Sequence, residues 1–171
     1  SFLFVGSSVA VEPAVKSTDI PKLSQEEQHA TASKRIAALF TRSHYKQIHL
    51  DDAFSEKIFD TYLESLDYSR NLFLQSDIDG FQGYRKQLDN ALGDGDLTIV
   101  YAMYNLSMQR RYERLVYALH LLDKPFDFTT DDYYQFERKG AKWPASKAEL
   151  DELWRQRVKY DALSLKLAGK N

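Results

Sequence analysis

Histidine is the side chain that most often serves as a metal ligand or general base, and this chain has four of them. His44 and His49 lie five residues apart at a predicted helix junction, whereas His29 and His120 are isolated in the sequence. The chain contains no H-E-x-x-H motif, so no metalloprotease zinc site is predicted. It contains no cysteine, so a zinc site with thiolate ligands is excluded. We therefore expect the four histidines at the surface or at helix ends.

No serine lies in a pattern that would activate it as a nucleophile. The G-x-S-x-G turn of serine hydrolases is absent. Ser164 and Lys166 lie two positions apart in a predicted helix, where their side chains point to different faces. The glycine-rich loops that bind nucleotide phosphates are absent as well. The sequence therefore predicts no catalytic, cofactor-binding or metal-binding residue, and no cofactor.

Three arginines, Arg110, Arg111 and Arg114, form the densest basic cluster, and two tyrosines lie beside them. Basic and aromatic side chains together are typical of nucleic-acid-binding surfaces. However, Glu113 lies within the cluster, and the net charge of −2 gives no overall attraction to phosphate. We favour a solvated helix face whose arginines pair with carboxylates, with no nucleic-acid partner; a cytosolic nucleic-acid-associated protein is the alternative.

Paired acids and one sequon complete the candidate sites. Asp51–Asp52 and Asp131–Asp132 are interpreted as helix starts, where negative charge interacts favourably with the helix dipole. Asn105-Leu106-Ser107 has the spelling of a glycosylation sequon, but it lies inside a predicted helix, which indicates coincidence. Neither pattern adds a functional residue.

The composition indicates one helical globular domain. A chain of 171 residues with 43% hydrophobic residues can bury a core, and 28% charged residues argue against a membrane protein. Seven glycines and four prolines are few for this length, which favours long helices over many strands and turns. We expect no stable membrane span in the mature protein.

Apolar periodicity predicts an all-α fold of about five helices packed as an irregular bundle. The predicted helices cover roughly residues 24–41, 51–66, 76–92, 96–122 and 146–168. Ser24–Glu27 and Ser146–Glu149 have the spacing of capping boxes, and Ser76 is expected to cap the third helix. The fourth helix has an unbroken apolar stripe, and its first half is apolar on a second side, so we expect it to be long and central.

The stretch between the last two predicted helices, residues 126–144, is unusually aromatic. Its six aromatic side chains follow no helical period: Phe126, Phe128, Tyr133, Tyr134, Phe136 and Trp143. A connection this long and aromatic is expected to pack against another part of the protein. Two interpretations remain open at this point: the aromatic side chains close the domain's own core, or they offer a surface to another domain.

The chain begins with an apolar stretch, SFLFVGSSVA, that is too short to span a bilayer. It resembles the end of a secretory signal, because an apolar run is followed by the small residues of Ser8-Val9-Ala10, as at a signal-peptidase site. We therefore expect residues 1–10 to be a signal-peptide remnant, 11–23 a polar linker and 24–171 the folded domain of an exported protein.

Four longer stretches resemble the N-terminal domain of the tail-specific proteases, the bacterial periplasmic carboxy-terminal processing proteases. They are FTRSHYKQIHL (40–50), AFSEKIFDTYLESLDYSRNLFLQSDIDGF (53–81), YALHLLDKPFDFT (117–129) and WRQRVKYDALSLKLAGK (154–170). The stretches occur in the same order and with similar spacing, and the likeness covers most of residues 24–171. The signal-like stretch also lies where that family's signal peptide would end.

The resemblance implies a helical domain that precedes a PDZ domain and a protease core with a serine–lysine dyad, both missing from this sequence. It further implies a periplasmic enzyme that recognises apolar C-terminal tails of envelope proteins, needs no metal or cofactor, and in some bacteria works with a lipoprotein adaptor. No catalytic or PDZ motif of the family matches a residue here. We therefore expect a non-catalytic domain that scaffolds the protease core and helps to dock substrates or the adaptor. The alternative is a stand-alone exported helical protein-binding module.

Overall fold

The computed structural model describes residues 16–42 and 49–169, which form six α-helices and two short 3-10 helices, with no strand among them. The α-helices are α1 (Glu27–Arg42), α2 (Asp52–Leu66), α3 (Gln75–Phe81), α4 (Leu88–Asp94), α5 (Thr98–Leu122) and α6 (Lys147–Leu167). The 3-10 helices are Ser17–Asp19 and Gln82–Tyr84. The all-α prediction is confirmed. The expected signal remnant, residues 1–10, and residues 11–15 of the expected linker lie outside the described residues.

The long helix α5 lies in the core, as its apolar pattern predicts. Met103, in its first half, is fully buried and packs in one cluster with side chains from α2, α3 and the start of α4. The buried members of this cluster are Phe59, Leu63, Leu66, Phe73, Ile78, Phe81, Leu88 and Met103. Among the described residues of α6, Leu150 is the one buried apolar side chain, so the second half of α6 lies away from this core. None of the described helices has the length and apolarity needed to cross a bilayer.

The predicted third helix is broken into α3, a 3-10 turn and α4, which raises the number of α-helices from about five to six. The break is stabilised by Ser55, a fully buried residue of α2. Its hydroxyl donates to the carbonyl of Arg85 at 3.0 Å and accepts from the amide of Leu88 at 2.8 Å. Backbone groups released by the break therefore find partners on another helix, which no local sequence pattern predicts.

The predicted capping box at Ser24–Glu27 is wrong. Helix α1 begins at Glu27, and the amide of Glu26 donates to Nδ1 of His29 at 3.2 Å. The side chain of Gln25 instead bonds to the backbone just before α5, donating to one carbonyl at 2.5 Å and accepting from one amide at 2.6 Å. This long-range pair of hydrogen bonds displaces the local cap.

The serine cap of the second predicted capping box is confirmed, but the carboxylate of Glu149 accepts from the amide of Ala145 at 2.8 Å and not from that of Ser146; the predicted cap of α3 is wrong. The hydroxyl of Ser146 accepts from the amide of Glu149 at 3.2 Å and starts α6 where the sequence predicts. Helix α3 begins before Ser76, and the carboxylate of Asp77 accepts from the amide of Leu74 at 3.0 Å. The side-chain hydrogen bond at the start of α3 is therefore made by the carboxylate of its third residue, Asp77, and not by the hydroxyl of Ser76.

A buried carboxylate organises the connection between α2 and α3. Asp67 accepts hydrogen bonds from the amides of Asn71, Leu72 and Phe73 at 2.9, 3.1 and 3.1 Å. It also accepts from the indole N–H of Trp143 at 3.2 Å. Because Trp143 belongs to the aromatic connection before α6, Asp67 ties one end of that connection to the core.

Candidate functional site

The histidines do not assemble into a site in the part of the chain that is described. His29 accepts at the start of α1, His49 is exposed, and His120 lies on the surface 3.3 Å from Asp123, all as predicted; His44 falls outside the described residues. Within residues 16–42 and 49–169, no group of three or more His, Cys, Asp or Glu side chains is placed to hold a metal ion.

The arginine cluster of α5 binds groups of the domain itself. Arg110 pairs with Asp77 at 2.7 Å, Arg111 donates to a backbone carbonyl at the end of α2 at 2.6 Å, and Arg114 pairs with Asp151 at 2.5 Å. The hydrogen bonds with Asp77 raise the pKa of Arg110. Pairing with carboxylates is confirmed for Arg110 and Arg114 but not for Arg111, and the solvated face is wrong for Arg114, which is buried because α6 covers it. The cluster holds α5 against its neighbouring helices.

The aromatic connection divides into two parts. Trp143 packs against the core, whereas residues 126–138, which we call the strap, lie along α6. Tyr134 and Phe136 face α6, with ring centroids 6.3 and 4.5 Å from that of Tyr160. Tyr133, which immediately precedes Tyr134 in the chain, points to solvent and is 76% exposed. Alternation of this kind is typical of an extended chain.

Two cations of α6 hold the strap in place. The ammonium of Lys159, which is buried, lies 2.5 Å from the carboxylate of Asp132 and 2.8 Å from the hydroxyl of Thr130. The guanidinium of Arg155 donates to both oxygens of the same carboxylate, at 2.7 and 3.1 Å. The hydrogen bonds from Arg155 and then Lys159 hold the pKa of Asp132 well below its usual range.

The two acid pairs have different roles. Asp51 caps α2 by accepting from the amide of Phe54 at 2.9 Å, so the first predicted helix start is confirmed. The prediction for Asp131–Asp132 is wrong, since these residues lie in the strap and no helix begins there. Asp132 is drawn to the cations of α6 instead, and this attraction between distant residues outweighs the local preference.

We expect the stabilising effect of Asp132 to disappear in acid. Because its folded-state pKa is lowered, its contribution is present above the unfolded pKa of about 3.9 and is lost as the pH falls further. The difference in free energy of unfolding between the wild type and Asp132→Asn should therefore be constant from pH 8 to 5 and shrink below pH 4. Urea titrations across this range measure it, and a difference independent of pH would contradict the assignment.

The strap and α6 leave an aromatic surface uncovered. We call Tyr133, Tyr134, Phe136 and Tyr160 the aromatic patch; Phe136 and Tyr160 are 59% and 42% exposed. The cavity beneath it holds about 90 Å³, less than the several hundred cubic ångströms of a typical small-molecule site. Large aromatic side chains on a firmly held segment are typical of protein-binding surfaces. The patch is therefore the candidate functional site.

Sequence reasoning singled out the aromatic connection but missed its partners on α6. Arg155 and Lys159 lie one turn apart on a helix, where like charges repel unless an acid lies between them. That spacing is the signal that could have indicated an acidic partner such as Asp132. Tyr160 gives no such signal, because an exposed tyrosine on a helix is ordinary.

The described residues form an all-helical domain. Its most distinctive surface feature is the aromatic patch, and no cluster of reactive side chains was found among these residues. The sequence profile described as the tail-specific protease N-terminal domain matches residues 36–171. The chain therefore belongs to this family. A tail-specific protease of Haemophilus influenzae is 48% identical over 164 residues, which cover 94% of this chain and 23% of that protein. The chain thus spans about a quarter of the length of this relative.

Proposed function

We propose that the chain is the non-catalytic N-terminal domain of a periplasmic tail-specific serine endopeptidase, and that it scaffolds the protease core through the aromatic patch. The PDZ domain and the serine–lysine dyad belong to the remainder of that protein. The observation that carries the proposal is the patch itself, because it leaves Tyr133 and Phe136 exposed on the firmly held strap, with Tyr160 of α6 exposed beside them.

The anchoring of the strap favours binding. Lys159 and Arg155 fix Asp132, so the backbone beside Tyr133 and Phe136 is ordered before any partner arrives. A surface that is ordered in advance avoids much of the entropy cost of association. Aromatic side chains at the centre of an interface are commonly the residues that contribute most to binding.

In this proposal the substrates are envelope proteins with apolar C-terminal tails. The domain holds the protease core in the arrangement that cleaves them. A lipoprotein adaptor could dock on the same protein. The alternative, a stand-alone exported binding module, would use the patch for a separate protein. The coding sequence downstream of Asn171 separates the two, because a PDZ domain followed by serine and lysine segments belongs to the first and a stop codon to the second.

Loss of the patch should reduce proteolysis by the full-length enzyme. Replacing Tyr133, Tyr134 and Phe136 together by alanine removes the proposed contact, and we expect about a tenfold fall in kcat/KM for a substrate with an apolar tail. The fall should occur without a change in the secondary structure seen by circular dichroism. Proteolysis of a purified tagged substrate measures it.

The matched control replaces two aromatic residues that are exposed elsewhere on the domain. Tyr68→Ala and Tyr84→Ala remove side chains that are 52% and 40% exposed, and we expect activity within a factor of two of the wild type. If the patch variant keeps both its proteolysis and its adaptor binding, the scaffolding proposal is wrong.

A further inference from the structure

A second concave surface lies along α2 and shares no residue with the aromatic patch. We call it the α2 groove; it holds about 330 Å³ and is lined by Phe54, Lys57, Ile58, Thr61, Tyr62 and Ser65. Its volume falls at the lower end of the range that is typical of ligand sites, about 300–1,000 Å³. Three of its apolar side chains recur every four residues, so the groove follows the helix for about 12 Å, at about 1.5 Å per residue.

The uncharged polar groups of the groove bond to the domain itself. The hydroxyl of Thr61 donates to the carbonyl of Lys57 at 2.8 Å, and that of Ser65 donates to the carbonyl of Tyr62 at 2.6 Å. The phenol of Tyr62 donates to the carbonyl of Val100 on α5 at 2.9 Å, and burial raises the pKa of this tyrosine to about 12. The groove therefore offers apolar surface, and a ligand that needs several hydrogen bonds would lose them on binding there.

One positive charge borders this apolar surface. Lys57 is exposed, and its ammonium forms no ion pair with a carboxylate of residues 16–42 or 49–169. The acids beside it in the helix, Glu56 and Asp60, pair instead with Arg85, at 3.9 and 2.6 Å. Side chains of a helix lean toward its N-terminus, which places this ammonium toward the start of α2. The groove thus has a positive end and an uncharged end.

We infer that the α2 groove binds a short apolar peptide segment that ends in a free carboxylate. The apolar side chains of the peptide lie on Phe54, Ile58 and Tyr62. Its terminal carboxylate pairs with Lys57, whose charge has no other partner among the described residues. At about 3.3 Å per residue, an extended segment of three or four residues spans the groove. The inference goes beyond the proposed function, which assigns the aromatic patch and leaves this face of α2 without a role.

The shape of the groove favours a peptide over a lipid chain with the same charge. Because residues of a single helix line the groove, it covers one side of a ligand. A peptide can keep its backbone in water on the other side, whereas an acyl chain would leave much of its apolar surface there. The position of the charge at one end favours a terminal carboxylate over an acidic side chain within the segment.

Photo-crosslinking to the full-length protease tests the site. The probe is a short peptide that ends in leucine and photo-leucine with a free carboxylate, used below saturation, and the serine of the proposed dyad is replaced by alanine so that the peptide survives. We expect crosslinks within residues 54–65, at about a fivefold higher yield than for the same peptide with an amidated C-terminus. The absence of crosslinks there, or equal yields for the two peptides, would overturn the inference.

Two substitutions on α2 test the role of the charge. Lys57→Gln should lower the yield within residues 54–65 about fivefold, whereas Lys57→Arg should retain it. Thr61→Glu places a carboxylate one turn after the lysine at an exposed position, where it pairs with the ammonium, and we expect at least the same loss. Lys124→Gln, which removes an exposed lysine outside the groove, should leave the yield unchanged.

A yield that neither Lys57→Gln nor Thr61→Glu lowers would overturn the inference. So would displacement of the probe by a fatty acid at a tenfold lower concentration than by the unlabelled peptide, because that result would assign the groove to lipid. Since the readout is a crosslink to α2 and not proteolysis, either result leaves the scaffolding proposal standing, and loss of activity in the aromatic-patch variant tests that proposal separately.

Discussion

Replacing Asp67 by alanine is expected to lower the free energy of unfolding by about 4 kcal/mol, because four buried N–H groups would lose their acceptor at about 1 kcal/mol or more each. The carboxylate is 3% exposed and accepts from the amides of residues 71–73 and from Trp143. Arg70, within the same turn, has a φ of +47°, a conformation that non-glycine residues adopt at a cost. Without the carboxylate, this turn keeps the backbone hydrogen bond from the amide of Arg70 to the carbonyl of Asp67 but loses the acceptor of the three amides that follow Arg70.

Urea denaturation of the chain measures this loss. Asp60→Ala is the matched control, since its carboxylate is mostly exposed and pairs with Arg85 at the surface. We expect the control to cost at most about 1 kcal/mol. Similar losses in the two variants would show that the buried hydrogen bonds of Asp67 do not organise the connection between α2 and α3.

Replacing Arg114 by alanine is expected to lower the free energy of unfolding by about 3 kcal/mol, because the change breaks a buried ion pair and leaves a cavity. Its side chain is 4% exposed, and its guanidinium lies 2.5 Å from Asp151 and 5.2 Å from the ring centre of Tyr117. Burial acts to raise the pKa of Asp151, but hydrogen bonds from Arg114 and Lys147 lower it overall. Arg114 therefore joins the second half of α5 to α6.

Two further variants separate charge from packing. Arg157→Ala removes an exposed arginine of α6 whose contact with Asp161 is 3.9 Å long, and we expect a loss below about 0.5 kcal/mol. Arg114→Met keeps most of the buried volume, and we expect a smaller loss than for alanine. A loss for Arg114→Ala no larger than that for Arg157→Ala would contradict the role assigned to the buried pair.

The fold could be predicted where the pattern was local and long. Helices α2 and α5 lie within two residues of their predicted ends, because each carries an apolar stripe over several turns. The start of α6 was predictable from Ser146 and Glu149, whose cap needs no distant partner. The third helix could not be predicted in the same way, since its break depends on Ser55 of another helix.

The candidate site could be predicted in part. The aromatic composition of residues 126–144 indicated a packed connection, and Trp143 does pack on the core, whereas Tyr133 and Phe136 stay exposed. The division depends on Asp67 and Lys159, which are distant from each other in the sequence and hold different ends of the connection. Which aromatic residue is buried is therefore decided by tertiary ion pairs and hydrogen bonds, and not by local periodicity.

The two anchor points explain why the strap stays at the surface of the domain. The core helices hold Asp67, which fixes the end of the connection near Trp143, while α6 supplies the cations that fix Asp132. Between these two points the strap cannot collapse onto the core. Its aromatic side chains therefore remain available at the surface, where the proposal places the contact with the rest of the protease.

Thiol accessibility at the strap tests the central claim most directly, because this chain contains no cysteine of its own. In the full-length protease, the cysteine introduced by Tyr133→Cys should react with a maleimide at least ten times more slowly than the one introduced by Tyr68→Cys, although in this chain Tyr133 is the more exposed residue. That result would mean that another part of the protease covers the aromatic patch. Faster labelling at position 133, as its exposure in this chain alone predicts, would contradict the claim.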